Sequence, residues 1–178
     1  MDTSMLNVPE RYHKLDAKRQ GILDRNRSCA RLTLPHVLPE SGHTEDSELD
    51  QPYQSEGANG VNNLAAKITL TILPPQGSPI ALDVSDEILK ELEAEDPTIR
   101  SQVEQDMLKT EKAIMEDVNT NAMRPKVFNM IRHMIVCGDG CTFTPDEGTI
   151  KAFRQDRYVV VRDDSGNILE LIIKETFD

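Results

Sequence analysis

The sequence predicts an α+β fold, mainly helical, with a small antiparallel sheet or hairpin at its C-terminal end. Apolar residues recur at three- and four-residue steps through several segments up to about residue 136. Past Gly138-Asp139-Gly140 they become short β-branched runs separated by turn residues. The 178 residues suffice for one sizeable domain, or a domain and an arm, and with 4% aromatics and no Trp the core must be aliphatic and Met-rich.

The first helix is expected over residues 10–34, with Tyr12, Leu15, Ile22 and Cys29 near one face. Gly21 should weaken its middle by roughly 1 kcal/mol relative to Ala, and Pro35 and Pro39 should end it. Seven cations (Arg11, Lys14, Lys18, Arg19, Arg25, Arg27, Arg31) stand there against Glu10, Asp16 and Asp24. The segment therefore carries +4, and, with −11 for the whole chain, the remainder carries −15. Such a polarity suits an arm docking on an acidic neighbour. From Glu40 to Glu56 there are six acids and no Lys or Arg, which reads as a solvated linker. Two parts result: residues 1–56, a basic helix and acidic linker, and residues 57–178, a helical unit ending in a hairpin sheet.

The second helix is expected from Ala58 to Leu73, where Val61, Leu64, Ala65, Ile68 and Ile72 form one stripe before Pro74-Pro75. Ile80, Leu82 and Val84 alternate with small or charged residues, so a short strand is expected. Ser85 should cap a short helix to about Ala94, with Asp86 and Glu87 favoured by its dipole. Asp96-Pro97 should open another to about Asn121, burying Ile99, Val103, Met107, Ile114 and Val118. Arg124-Pro125 begins a helix so apolar at its end (Met130, Ile131, Met134, Ile135, Val136) that it should be packed on several sides. Strands are expected at Cys141–Thr144, Thr149–Phe153, Arg157–Arg162 and Ile168–Lys174, with Asp164-Ser165-Gly166-Asn167 as a hairpin turn. The chain stops at Asp178 just after a strand, which reads as a fragment or a truncated reading frame.

Composition excludes several classes. Mean hydropathy is −0.48 and no apolar run is long enough to span a bilayer, so no membrane partner is expected. Residues 1–10 lack a secretory signal. Cys29, Cys137 and Cys141 are odd in number and form no disulfide framework, which suits a reducing cytosol. The net charge argues against a general nucleic-acid binder.

Catalytic chemistry is sparse. His133, Cys137 and Cys141, spaced by four and four, are the best metal-site candidates for a small metal-dependent enzyme. A structural zinc site wants four ligands, however, and free cysteines are commonly small buried apolar residues. Gly57-Ala58-Asn59-Gly60 resembles a phosphate-cradling loop but lacks a preceding strand and the Gly-Lys-Ser/Thr signature, so a tight turn feeding a helix is preferred. Glu91, Glu93, Glu95 and Asp96 read as a solvated face. His13, His36, His43 and His133 support no nucleophilic triad. The expectation is no enzyme, no cofactor and no metal.

Three segments, in order, resemble the portal proteins of short-tailed phages. They are Arg25-x-x-x-Cys29-Ala30-x-x-Thr33-Leu34-Pro35; Gln54-x-x-Gly57-Ala58-x-Gly60-Val61-Asn62-Asn63-Leu64-Ala65-x-Lys67; and Tyr158-Val159-Val160-x-Arg162-Asp163-x-x-Gly166-Asn167-Ile168-Leu169. Tyr53 stands where these proteins often carry Trp, and Gly77-Ser78-Pro79 replaces a bulkier stretch. The resemblance implies a structural virion protein, a head-to-tail connector subunit of a dodecameric ring. DNA is packaged and ejected through such a ring, and the tail attaches to it. It implies capsid, scaffolding, packaging-motor and tail proteins as partners, double-stranded DNA in the channel, and a place at the capsid portal vertex, with host cytoplasm during assembly. The part present corresponds to the wing, without stem or clip; a truncated prophage remnant without assembly function is the alternative. Gly57, Gly60, Asn62, Asn63, Arg162, Gly166 and Asn167 carry the motifs. Arg11, Lys14, Lys18 and Arg25 are the candidates for contact with an acidic neighbouring subunit.

Overall fold

A computed structural model describes residues 7–44, 46–85, 88, 98–145 and 150–175. Helices α1 (Val8–Lys18) and α2 (Gln20–Leu32) lead into a 3-10 turn at Pro35–Val37. Three longer helices follow, α3 (Glu56–Ile72), α4 (Ile99–Thr120) and α5 (Met123–Cys137). Strands β1 (Cys141–Phe143) and β2 (Lys151–Phe153), a 3-10 turn at Gln155–Arg157, and strands β3 (Tyr158–Arg162) and β4 (Ile168–Ile173) complete the α+β architecture.

The expected single helix over 10–34 is two helices, because Arg19 leaves helical geometry (φ −103°, ψ 4°). Its N–H still reaches the Asp16 carbonyl at 3.1 Å, while its guanidinium donates to Asp16 Oδ1 at 2.9 Å and to the Gln155 carbonyl at 2.8 Å. A contact 136 residues away thus favours a break that Gly21, two positions on, does not mark. The break resets the buried face. Tyr12 is buried in α1, but in α2 the inward residues are Leu23, Asn26 and Ala30, while Ile22 and Cys29 are exposed.

The core joins α2, the Pro35–Val37 turn, α3 and α5: Leu23, Ala30, Leu34, Val37, Leu38, Val61, Val136 and Cys137 form one cluster. The stretch from Pro35 to Pro39 is therefore more than a helix terminator. It carries Leu38, 1% exposed, into the centre, and such burial contributes about 1.5–3 kcal/mol per large aliphatic side chain.

Helix α3 starts at Glu56, two residues earlier than expected, and buries Val61, Ala65 and Thr69. Thr69 tolerates burial because its Oγ1 donates to the Ala65 carbonyl at 2.7 Å. Leu64 and Ile72, expected inside, are exposed. No strand forms at residues 80–84: the Leu82 N–H donates to Glu111 Oε1 at 2.8 Å instead of to a ladder. The short helix expected from Ser85 to Ala94 and the cap at Asp96-Pro97 lie outside the described residues, Ser85 and Ile88 apart.

Along α4 the expected stripe is the less exposed side, with Val118 buried and Ile99, Val103, Met107 and Ile114 half-buried. Asn119 to Ala122 turn the chain sharply, Ala122 adopting left-handed geometry (φ 48°). Arg124 clamps this corner to the end of α3 through the Leu73 carbonyl (3.2 Å), the Pro74 carbonyl (3.0 Å) and Asn119 Oδ1. Helix α5 packs against α2, α3, α4 and β2, yet Met134 remains 49% exposed, so it is not enclosed on every side.

Among the described residues the strands form two separate antiparallel ladders, β1–β2 and β3–β4, rather than one sheet. The second is the expected hairpin, but Asp163, one residue before the anticipated turn, organises it. Its carboxylate accepts the N–H groups of Ser165 (3.0 Å) and Asn167 (2.7 Å) and the Asn167 side-chain amide (2.9 Å). Gly166 supplies the positive φ of 87° the turn needs. Arg162 faces Ile168 while Val161 faces Glu170, so Leu169 is the extra residue of a bulge.

Candidate functional site

The basic N-terminal helices dock on the C-terminal strands through side chains distant in sequence. Arg11 forms a fork on Glu170 of β4, with Nε 3.1 Å and Nη2 2.8 Å from Oε2. The Tyr12 hydroxyl donates to the Asp156 carbonyl at 2.8 Å, and burial pushes its phenol pKa up. Buried Asn26 uses one amide nitrogen for two acceptors, the Cys137 carbonyl at 2.9 Å and Gln155 Oε1 at 2.8 Å. This ties α2 to the end of α5 and to the turn before β3. The hydrogen bond from Arg11 lowers the pKa of the Glu170 carboxyl and raises that of the guanidinium.

The other cations singled out from the sequence point elsewhere. Lys14 and Lys18 sit one turn apart on α1, both exposed, and Arg25 is exposed on α2. Arg27 pairs with Asp24 at 3.0 Å. Beside the seam lies a polar cleft of about 390 Å³ that carries Arg27, Arg154, Arg157 and Lys174, but also Asp16, Glu40 and Asp156. Its mixed sign does not make an anion pocket.

The motif residues fall into two groups. Gly57 and Gly60 lie inside the first turns of α3, so Gly57 to Gly60 is neither a phosphate loop nor a turn. Gly57 is required by close approach: a Cβ there would stand 2.8 Å from the Leu32 carbonyl oxygen and 3.2 Å from Thr33 Cγ2. Gly60 faces open space, Asn62 is half-buried and Asn63 exposed. Arg162, Gly166 and Asn167 build the hairpin turn, with the Arg162 guanidinium on the Gly166 carbonyl at 3.2 Å.

His133, Cys137 and Cys141 do not converge: no group of three or more His, Cys, Asp or Glu among the described residues has the arrangement of a metal site. Gly138 ends α5 in left-handed geometry and carries Cys141 off into β1. Burial pushes the Cys137 thiol up to about 12, the wrong direction for a thiolate ligand or nucleophile. The residues that sequence reasoning missed are Asn26, Gln155, Asp156 and Glu170. Only their tertiary partners distinguish them.

The chain is similar to known proteins along nearly its whole length. Residues 7–177 match the family described as "Bacteriophage head to tail connecting protein". The chain is 32% identical over 168 residues to the portal protein of Enterobacteria phage T3, covering 92% of this chain and 31% of that protein. With the portal protein of Escherichia phage T7 the identity is 30%, again covering 92% and 31%. With that of Enterobacteria phage SP6 it is 28%, covering 96% and 34%. The chain thus spans about a third of the length of these relatives. The resemblance carried by the three motifs is borne out.

Proposed function

The chain belongs to the family of bacteriophage head to tail connecting proteins, and from that premise we propose that it works as a structural subunit of a portal. In that role it contributes to a ring at one capsid vertex, through which DNA enters and leaves and to which the tail attaches. One observation carries the reading: the family match runs from before α1 to beyond β4, across both ladders and every described helix. The role asks for a scaffold rather than a catalytic centre, which fits a buried Cys137 held as a thiol.

Electrostatics support the same reading. A ring in which each subunit's stretch corresponding to this chain carries −11 disfavours close contact with a duplex there, so DNA slides past it without being gripped. Neighbours are held by heterologous contact, the kind that closes a ring. Lys14, Lys18 and Arg25 are the cations presented to a neighbour, and the exposed acids Asp46, Glu48 and Asp50 of the linker are the complementary surface. Arg11 serves the subunit itself, through Glu170. Twelve copies, capsid, scaffolding, motor and tail contacts, and a passage through host cytoplasm during assembly complete the proposal.

Quantitative mass spectrometry of purified virions tests it. Peptides from residues 7–177 should be present at low copy relative to the capsid subunit. Their absence from infectious particles overturns the reading.

A further inference from the structure

The turn at Pro35–Val37 meets α5 through a contact that constrains protonation. Arg132 Nη2 lies 2.8 Å from His36 Nε2. A guanidinium carries donors only, so the contact is a hydrogen bond only while Nε2 keeps its lone pair. His36 must therefore be neutral, with its proton on Nδ1. A proton on Nε2 removes the acceptor and leaves two cations at hydrogen-bond distance.

Arg132 is held in place. It donates to Asn129 Oδ1 at 3.3 Å, and its guanidinium carbon stands 5.4 Å from the centre of the Phe128 ring. The next residue, His133, is half-buried, and its Nδ1 is sealed from solvent without a hydrogen-bond partner among the described residues. A neutral ring with its proton on Nε2 leaves only a lone pair there, whereas a protonated ring buries an unpaired N–H. The charged and titratable groups acting on His133 are Arg132 from α5, His36 from the 3-10 turn, and Arg154 and Asp156 from the connection between β2 and β3. Asp156 alone favours the charged form. His36 is exposed and meets Arg132 at the surface, where partial desolvation and the guanidinium lower its imidazole below the ordinary histidine value; burial first, and then the neighbouring cations, lower that of His133.

The site adjoins the core directly. Val37 and Leu38 follow His36, and Val136 and Cys137 lie one turn beyond His133; all four belong to the central cluster. We propose that His36, Arg132 and His133 form an acid-sensitive latch between the Pro35–Val37 turn and α5, closed while both histidines are neutral and loosened when they take protons.

The sign follows from linkage. As pH falls through the ordinary 6.5, the unfolded chain takes these two protons first, so the stabilisation present above that pH is lost on the way down to the folded-state values. The test is thermal unfolding of the whole chain, wild type against His36→Gln/His133→Gln, whose amides can accept from Arg132 but do not titrate. Between about pH 7.5 and about pH 5.5, above the carboxylate range, the wild-type melting temperature should drop by about 3 °C or more. The double variant should lose less than half as much. Equal slopes in the two proteins, or a flat wild type, overturn the latch. If the variant does not fold, proton NMR titration of the wild-type histidines decides. Midpoints below 6.5 for His36 and His133 support the proposal, and midpoints at or above it overturn it.

Discussion

Arg11 near the start of the chain and Glu170 in its last strand meet as a forked ion pair, Nη2 2.8 Å from Oε2 across 159 residues. The pair joins α1 to the hairpin at a site about a third exposed, so its contribution is that of a surface bridge. Its pH dependence is definite. Because Arg11 lowers the carboxyl, the stabilisation is complete above the ordinary glutamate value of 4.5 and is lost as pH falls through the lower folded-state value. Chemical unfolding at pH values spanning that range should show a small acid-sensitive component. Both Arg11→Ala and Glu170→Gln should remove it, and the two together should remove no more than either alone.

Asn26 is the residue whose loss should be felt most for its size. It is 6% exposed and satisfies two buried acceptors, the Cys137 carbonyl and Gln155 Oε1. Asn26→Ala leaves both without a donor and opens a gap between α2 and α5. A loss of about 2–4 kcal/mol is expected in urea unfolding, against less than about 0.5 kcal/mol for exposed Ser28→Ala on the same helix. Equal losses would show that the bridge does not matter.

Gly57 and Gly60 separate two roles that look identical in sequence. Both lie in α3, where Ala is preferred to Gly by about 0.5–1 kcal/mol. Gly60→Ala meets nothing within 4 Å and should be neutral or stabilising by that amount. Gly57→Ala drives a methyl to 2.8 Å from the Leu32 carbonyl oxygen, so α3 must move off the end of α2. A destabilisation of about 1–3 kcal/mol follows, read as a lower urea midpoint.

These contrasts show what the sequence could carry. Helix α3, the apolar side of α4, the hairpin turn and the family were legible, because periodicity, turn chemistry and motif order are local signals. The break at Arg19 was not: it accompanies a bond to the Gln155 carbonyl, which no local pattern encodes. Val37 and Leu38 were hidden between two prolines, and Leu34 just before the first, where a helix-ending signal masked a buried segment. Residues 80–84 have the alternation of a strand but, among the described residues, no strand to pair with. The cations Arg11, Lys14 and Lys18 looked equivalent in sequence, yet only Arg11 is spoken for by Glu170.

That distinction sets the last prediction. Charge reversal at Arg11 would break an internal bridge and any contact between subunits together, so it cannot separate the two. Lys14→Glu/Lys18→Glu changes only exposed positions on α1, leaving the Arg11 fork, the Tyr12 hydroxyl bond and the Asn26 bridge intact. Monomer stability should shift by no more than about 0.5 kcal/mol, as for ordinary surface changes. Assembly should respond more strongly, because each interface would exchange two attractions for two repulsions. The effect should shrink as salt rises, since exposed charges are screened over about 8 Å at physiological ionic strength. Sedimentation velocity of the full-length protein at low and high salt measures both. Weaker rings at low salt with an unchanged unfolding midpoint assign Lys14 and Lys18 to the contact. Rings as abundant as in the wild type place the contact on another surface.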